Sequence, residues 1–95
     1  MRKISFFIIF LLSFVQLVQA ESFTKADADK AYQENKYAEA IKMYENILAT
    51  QGESAVVYYN LGNSYFKEKN MAKAVLNYER ALLLNPGDAD IRFNL

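Results

Sequence analysis

The spacing of large and small apolar residues between Ala55 and Asp88 restricts this chain more than any other feature. Tyr58, Leu61, Gly62 and Tyr65 fall at i, i+3, i+4 and i+7, one stripe along a helix, and Ala74, Tyr78 and Ala81 repeat that spacing in a second helix. Such stripes are stable only when covered, so the two helices must pack on each other and on neighbours. Nothing between them has the form of catalytic machinery.

Stepping along the chain by about 34 residues, a period of helix-turn-helix arrays, brings like onto like. Ala38 falls on Ala72, Ala40 on Ala74, Ile41 on Val75, Tyr44 on Tyr78, Glu45 on Glu79 and Leu48 on Leu82. Farther on, Ala55 falls on Ala89, Val57 on Ile91, Tyr59 on Phe93, Asn60 on Asn94 and Leu61 on Leu95. The helix pair at 55–88 is therefore one unit of an array, with units at 21–54 and 89–95 beside it.

Local signals place the helices. A first helix is expected from Ser22 to Glu34, rich in Ala and free of Pro and Gly, with Phe23, Ala28, Ala31 and Tyr32 able to pack and Asp27 on a wet side. Asn35 and Lys36 form a turn, and a second helix from Tyr37 to Thr50 carries Ala40, Ile41, Tyr44, Ile47 and Leu48 on one face. Gly52 is expected to be a left-handed cap. Ser54 caps a third helix from Ala55 to about Lys69. Asn70 caps a fourth, Met71 to Leu84, which Asn85, Pro86 and Gly87 stop. Asp88 caps the opening turns of a fifth.

Residues 1–20 have a different character. Arg2 and Lys3 precede an apolar run from Ile4 to Val15, and Val18, Gln19 and Ala20 close it, the three-part form of a secretory signal peptide cleaved between Ala20 and Glu21. The alternative is an uncleaved membrane anchor; the run holds Ser5, Ser13 and Gln16 and falls short of the roughly 20 apolar residues that span a bilayer. Either reading implies export to the periplasm or cell envelope.

The chain has 95 residues and no formal net charge, and without Arg2 and Lys3 the remainder is slightly acidic, which argues against nucleic acid as a partner. It contains no Cys, His or Trp. Disulfides, thiolate nucleophiles and thiolate zinc sites are excluded, and Ser22, Thr50, Ser54 and Ser64 have no imidazole to activate them. No Gly-rich phosphate loop is present. Asp27 with Asp29 and Asp88 with Asp90 lack the Gly and bidentate Glu of a calcium loop. We expect no catalytic residue, cofactor, metal or small-molecule substrate.

The set Tyr58, Leu61, Gly62, Tyr65, Ala74, Tyr78, Ala81 and Pro86 resembles the tetratricopeptide repeat. That resemblance implies an all-α solenoid of two full repeats, 21–54 and 55–88, and the start of a third at 89–95. The first repeat departs from the pattern, with Thr24 for the aromatic, Asp27 for the leucine, Ile47 for the alanine and Gly52 for the proline, as suits an end position. The leader followed at once by such a repeat, with the run Tyr58 to Tyr65 followed by Asn77 to Asn85, Pro86, Gly87, Asp88 and Ile91 to Leu95, is similar also to the exported repeat protein of the Bacteroides aerotolerance operon. Proteins of that kind continue into membrane-spanning and SH3-like segments, patterns not seen in this sequence.

The resemblance implies a concave groove that holds a partner protein or peptide. Tyr59, Asn60, Asn63, Phe66 and Lys67 fall on that face, extended by Lys25, Asp29, Tyr32 and Gln33 on one side and by Phe93 and Asn94 on the other. Rings bury area at little entropic loss, and amides can pair with a peptide backbone. Some members clamp a C-terminal carboxylate. Here Lys25 and Asn60 match that clamp, but Asp29 replaces an asparagine, Asp90 a lysine and Asn94 an arginine, so the clamp is rejected. Membrane contact is expected only through the leader or a membrane-bound partner. Because Leu95 falls midway through a helix, we also expect a fragment of a longer protein, or self-association through the face left open after Leu84.

Overall fold

A computed structural model describes residues 22–94; the leader, its cleavage point and Leu95 lie outside them. Within these residues the fold is all-α: α1 (Lys25–Gln33), α2 (Tyr37–Gln51), α3 (Ala55–Lys67), α4 (Met71–Leu84) and α5 (Ala89–Asn94). Each helix packs against the next. The connections are short, so successive helices turn back on one another as helical hairpins.

The first helix starts later than its Ala-rich composition suggests. Thr24 is its N-cap: the Thr24 hydroxyl accepts from Asp27 N at 3.2 Å, and Thr24 N donates to Asp27 Oδ2 at 2.9 Å. This reciprocal pair stops the helix from extending back to Ser22, and Thr24 therefore stands outside the helix rather than in an aromatic's place within it. Its two bonds, the backbone one first, hold the Asp27 carboxyl below the usual range.

The other starts follow the sequence. Ser54 Oγ accepts from Val57 N at 3.3 Å, Asn70 Oδ1 from Lys73 N at 3.2 Å, and Asp88 Oδ1 from the amides of Asp90 and Ile91. The ends of α1 and α3 share one geometry. Asn35 and Lys69 sit at φ 62° and 63°, and the next amides, Lys36 N and Asn70 N, donate back to Ala31 O and Tyr65 O. This Schellman closure ends α3 at Lys67, two residues before the expected Lys69. Gly52 has φ 97° but an extended ψ of 174°, so it breaks α2 without forming the left-handed helical cap that was expected.

The core follows the two stripes. Ala40, Tyr44 and Ile47 from α2, Val57, Tyr58, Leu61 and Tyr65 from α3, and Ala74, Tyr78 and Ala81 from α4 are buried. Ala28 and Ala31 add the contribution of α1, and Ile91 fastens α5. Gly62 sets the closest approach: a Cβ there would lie 2.7 Å from two ring carbons of Tyr78 and 3.2 Å from the Ala74 carbonyl oxygen. The small residues at Gly62 and Ala74 thus let α3 and α4 meet with the Tyr78 ring between them.

Two polar side chains, Ser64 and Asn77, are buried in the helix faces. Ser64 Oγ donates to the Asn60 carbonyl at 2.8 Å, and Asn77 Nδ2 to the Lys73 carbonyl at 2.8 Å. Asn77 Oδ1 has no partner, which in general costs about 1–3 kcal/mol in a buried acceptor.

Candidate functional site

The face shared by α1 and α3 holds a cavity of about 260 Å³ lined by Asp29, Tyr32, Gln33, Tyr44, Asn60 and Asn63. Asp29 and Tyr32 occur one turn apart on α1, and Asn60 and Asn63 one turn apart on α3, so packing the two helices side by side brings four side chains to one place.

Asp29 is the hub. Its Oδ1 accepts from the Tyr44 hydroxyl and, at 3.5 Å, from Asn60 Nδ2; its Oδ2 accepts from Lys25 Nζ at 2.6 Å. Lys25 is therefore engaged within its own helix, i to i+4, and faces a carboxylate where a clamp needs unopposed positive charge. One repeat on, the Tyr78 hydroxyl donates to Asn63 Oδ1. At the cavity these bonds leave Asn60 Oδ1, an acceptor, and Asn63 Nδ2, a donor, unengaged.

The tyrosines framing the site are uncharged donors. Burial, and then the bond to Asp29, raise the Tyr44 hydroxyl far above its ordinary range. Burial likewise pushes Tyr78 up to about 12, with the neighbouring Tyr59 and Tyr32 adding to the effect. Tyr32 is raised for the same first reason and meets Tyr37 edge-on at 5.3 Å.

The remaining expected residues are spread along the same face. Tyr59 lies against Tyr78 with ring centroids 5.8 Å apart, and its hydroxyl accepts from Asn94 Nδ2 at 2.6 Å, joining α3 to α5. Phe66 is 52% exposed and Lys67 is exposed, both in the last turn of α3 and outside the cavity. Phe93, on α5, is 89% exposed. Tyr44 and Tyr78 were read from the sequence as packing residues only. Their hydroxyls proved to be part of the site, and the signal was present in the repeat, since each stands 15 residues after the side chain it bonds.

The family model for the tetratricopeptide repeat matches residues 55–88, the span of α3, α4 and the turn to Asp88. Residues 55–88 are thus similar to a tetratricopeptide repeat. Repeats of this kind mediate protein-protein interaction, and the all-α hairpin array observed here is their fold. A comparison with curated proteins finds no match to the chain. Among the described residues, no group of three or more His, Cys, Asp or Glu side chains is placed to hold a metal ion, and no helix is long and apolar enough to cross a membrane.

Proposed function

We propose that this tetratricopeptide repeat protein is a non-enzymatic binding module that holds an extended segment of a partner protein along the face formed by α1, α3 and α5. The observation that carries this reading is the pair of unengaged amide groups at the cavity, Asn60 Oδ1 and Asn63 Nδ2. An acceptor and a donor one helical turn apart match the N–H and C=O of a peptide backbone. Tyr32 and Tyr59 offer ring surface beside them, and the exposed Phe66 extends it. The cell-envelope setting rests on the leader at 1–20, and a role in an aerotolerance or stress-related membrane complex rests on that leader, the repeat that follows it at once and the runs Tyr58 to Tyr65, Asn77 to Asp88 and Ile91 to Leu95.

The test is partner capture from an envelope extract with Asn60→Ala and Phe66→Ala, alone and combined. Neither side chain belongs to the core, so the variants are expected to keep the helical signal and the melting temperature. Loss of capture with folding intact supports the reading. Undiminished capture by the double variant refutes it.

A second reading is favoured by the far end of the array. Glu79, Leu82, Leu83 and Pro86 line a largely apolar hollow of about 600 Å³, and they are the repeat images of Glu45, Leu48, Ala49 and Gly52. In the first repeat that ground meets Tyr58, Leu61 and Tyr65 of α3, whose Tyr65 hydroxyl donates to Glu45. Self-association through this end would cover Leu82 and Leu83. Sedimentation of the wild type and of Leu83→Asp distinguishes the readings, because only assembly through the end responds to that charge.

A further inference from the structure

The groove face carries its rings in rows. Phe66 is the repeat image of Tyr32, and Phe93 that of Tyr59, so each pair sets one ring on each of two neighbouring members of the α1, α3, α5 series. On α3 itself Tyr59 and Phe66 are i and i+7, hence on one side and roughly 10.5 Å apart along its axis. Asn60 and Asn63 stand in the lane between the two rows. All four rings reach solvent, Phe66 and Phe93 as exposed side chains and Tyr32 and Tyr59 as half-buried ones.

The rows also have a period. Asn60 Nδ2 reaches from α3 to Asp29 of α1, and its repeat image Asn94 reaches from α5 to Tyr59 of α3 in the same way, so one kind of contact spans both intervals. Packed helices lie about 8–10 Å apart. A bound chain uses both rings of a row only if it presents like side chains at that interval. A β-strand repeats its facing every two residues, roughly 6.6 Å, and turns its third side chain away. A polyproline II helix repeats its facing every three residues, roughly 9.3 Å, which matches. Charge points the same way: Lys25 and Asp29 are closed on each other, and Lys67 and Asp90 are of opposite sign, so the face offers no net charge to select a charged segment.

We propose that the groove holds an uncharged, proline-rich segment of a partner protein as a polyproline II helix crossing α1, α3 and α5, with prolines at i and i+3 on the rings of a row. This rests on the groove reading and names the chemistry of its ligand. The pyrrolidine rings lie on Tyr32 and Phe66 or on Tyr59 and Phe93, and the fixed φ of proline reduces what the segment loses on ordering. A backbone carbonyl of the segment accepts from Asn63 Nδ2. Proline has no N–H, so it is a residue between the prolines that donates to Asn60 Oδ1.

The probe is a fluorescein-labelled peptide of four Pro-Gln-Ala triplets, titrated with the protein by anisotropy. Its control has the same composition, with prolines alternating between spacings of two and four. The triplet peptide is expected to bind and the control to bind at least about fivefold more weakly, as when one interface ring is lost. Phe66→Ala and Phe93→Ala, one from each row and both at exposed positions, are each expected to weaken the triplet peptide about fivefold with Tm unchanged. Glu79→Gln, on α4 and away from this face, leaves the affinity as it is. The inference is overturned if the wild type does not bind the triplet peptide, if the control binds equally well, or if both ring variants keep the affinity. Its failure differs from failure of the groove reading. Envelope capture that depends on Asn60 and Phe66, with a triplet peptide that neither binds nor competes, removes the polyproline segment and leaves groove binding standing. Capture indifferent to both residues removes groove binding, and this inference with it.

Discussion

Tyr78 stands to Asn63 as Tyr44 stands to Asp29: in each helix pair a buried tyrosine of the second helix donates its hydroxyl to a side-chain oxygen of the first. The rings fill the packing wedge while the hydroxyls reach the groove. One residue type thus serves core and surface together, and the acceptor is a charged carboxylate in the first pair and a neutral amide in the second.

Removing one of these hydroxyls separates the two roles. Tyr44→Phe keeps the ring and withdraws a donor from the part-buried Asp29, and is expected to lower unfolding free energy by about 1–2 kcal/mol in urea denaturation. Tyr78→Phe is expected to have a smaller effect, because Asn63 is neutral. Equal losses in the two variants would contradict the importance of the carboxylate.

Gly62→Ala should destabilise despite alanine's better helix propensity. The propensity gain is about 1 kcal/mol, whereas the new methyl meets the Tyr78 ring at 2.7 Å from a position pinned by helix backbone. A net loss of about 1–2 kcal/mol is expected by chemical denaturation. Unchanged or greater stability would mean that the α3–α4 approach relaxes freely.

Lys69→Gly should stabilise. Lys69 holds φ 63°, and a left-handed conformation costs a residue with a Cβ about 1–2 kcal/mol, which glycine avoids. A rise in Tm of a few degrees is expected, with no change at the groove. The same change at Asn35 should yield less, since asparagine tolerates this region.

Alkaline pH should unfold the protein over a defined window. Burial, reinforced by Glu45, pushes Tyr65 up to about 12, and burial does the same for Tyr78. Unfolded tyrosine ionises near pH 10. Both groups keep their protons longer in the folded state, so their contribution is complete below pH 10 and is lost as pH rises from there to about 12. Thermal melts should be flat up to about pH 9 and then fall, together with a rise in tyrosinate absorbance. Tyr65→Phe should blunt the fall.

Much of the fold was legible because its determinants are local. The caps at Ser54, Asn70 and Asp88 and the close approach at Gly62 each follow from a residue type at a fixed offset. Thr24 was not legible, because a weak first repeat invites alignment of every position with its stronger neighbour, while the bond between Thr24 and Asp27 obeys only local geometry. Lys69 was hidden for the opposite reason: nothing in a lysine announces a left-handed backbone. Within the candidate site, the resemblance placed Asp29, Tyr32, Asn60 and Asn63 on one face, and all four line one cavity, but it did not separate them from Phe66 and Lys67, which share the face and lie beyond the cavity. Periodicity reports which way a side chain faces, not where a hydroxyl at the far end of a core ring emerges.

The bond between Asn94 and Tyr59 links α5 to α3, two helices that are not consecutive in the chain. The short α5 is held by Ile91 in the core and by this bond to the groove face. A bound segment that claimed the Tyr59 hydroxyl for itself would release one of the fastenings of α5. Occupancy of the groove would thereby reach the last helix as a change in how readily its amides exchange with solvent.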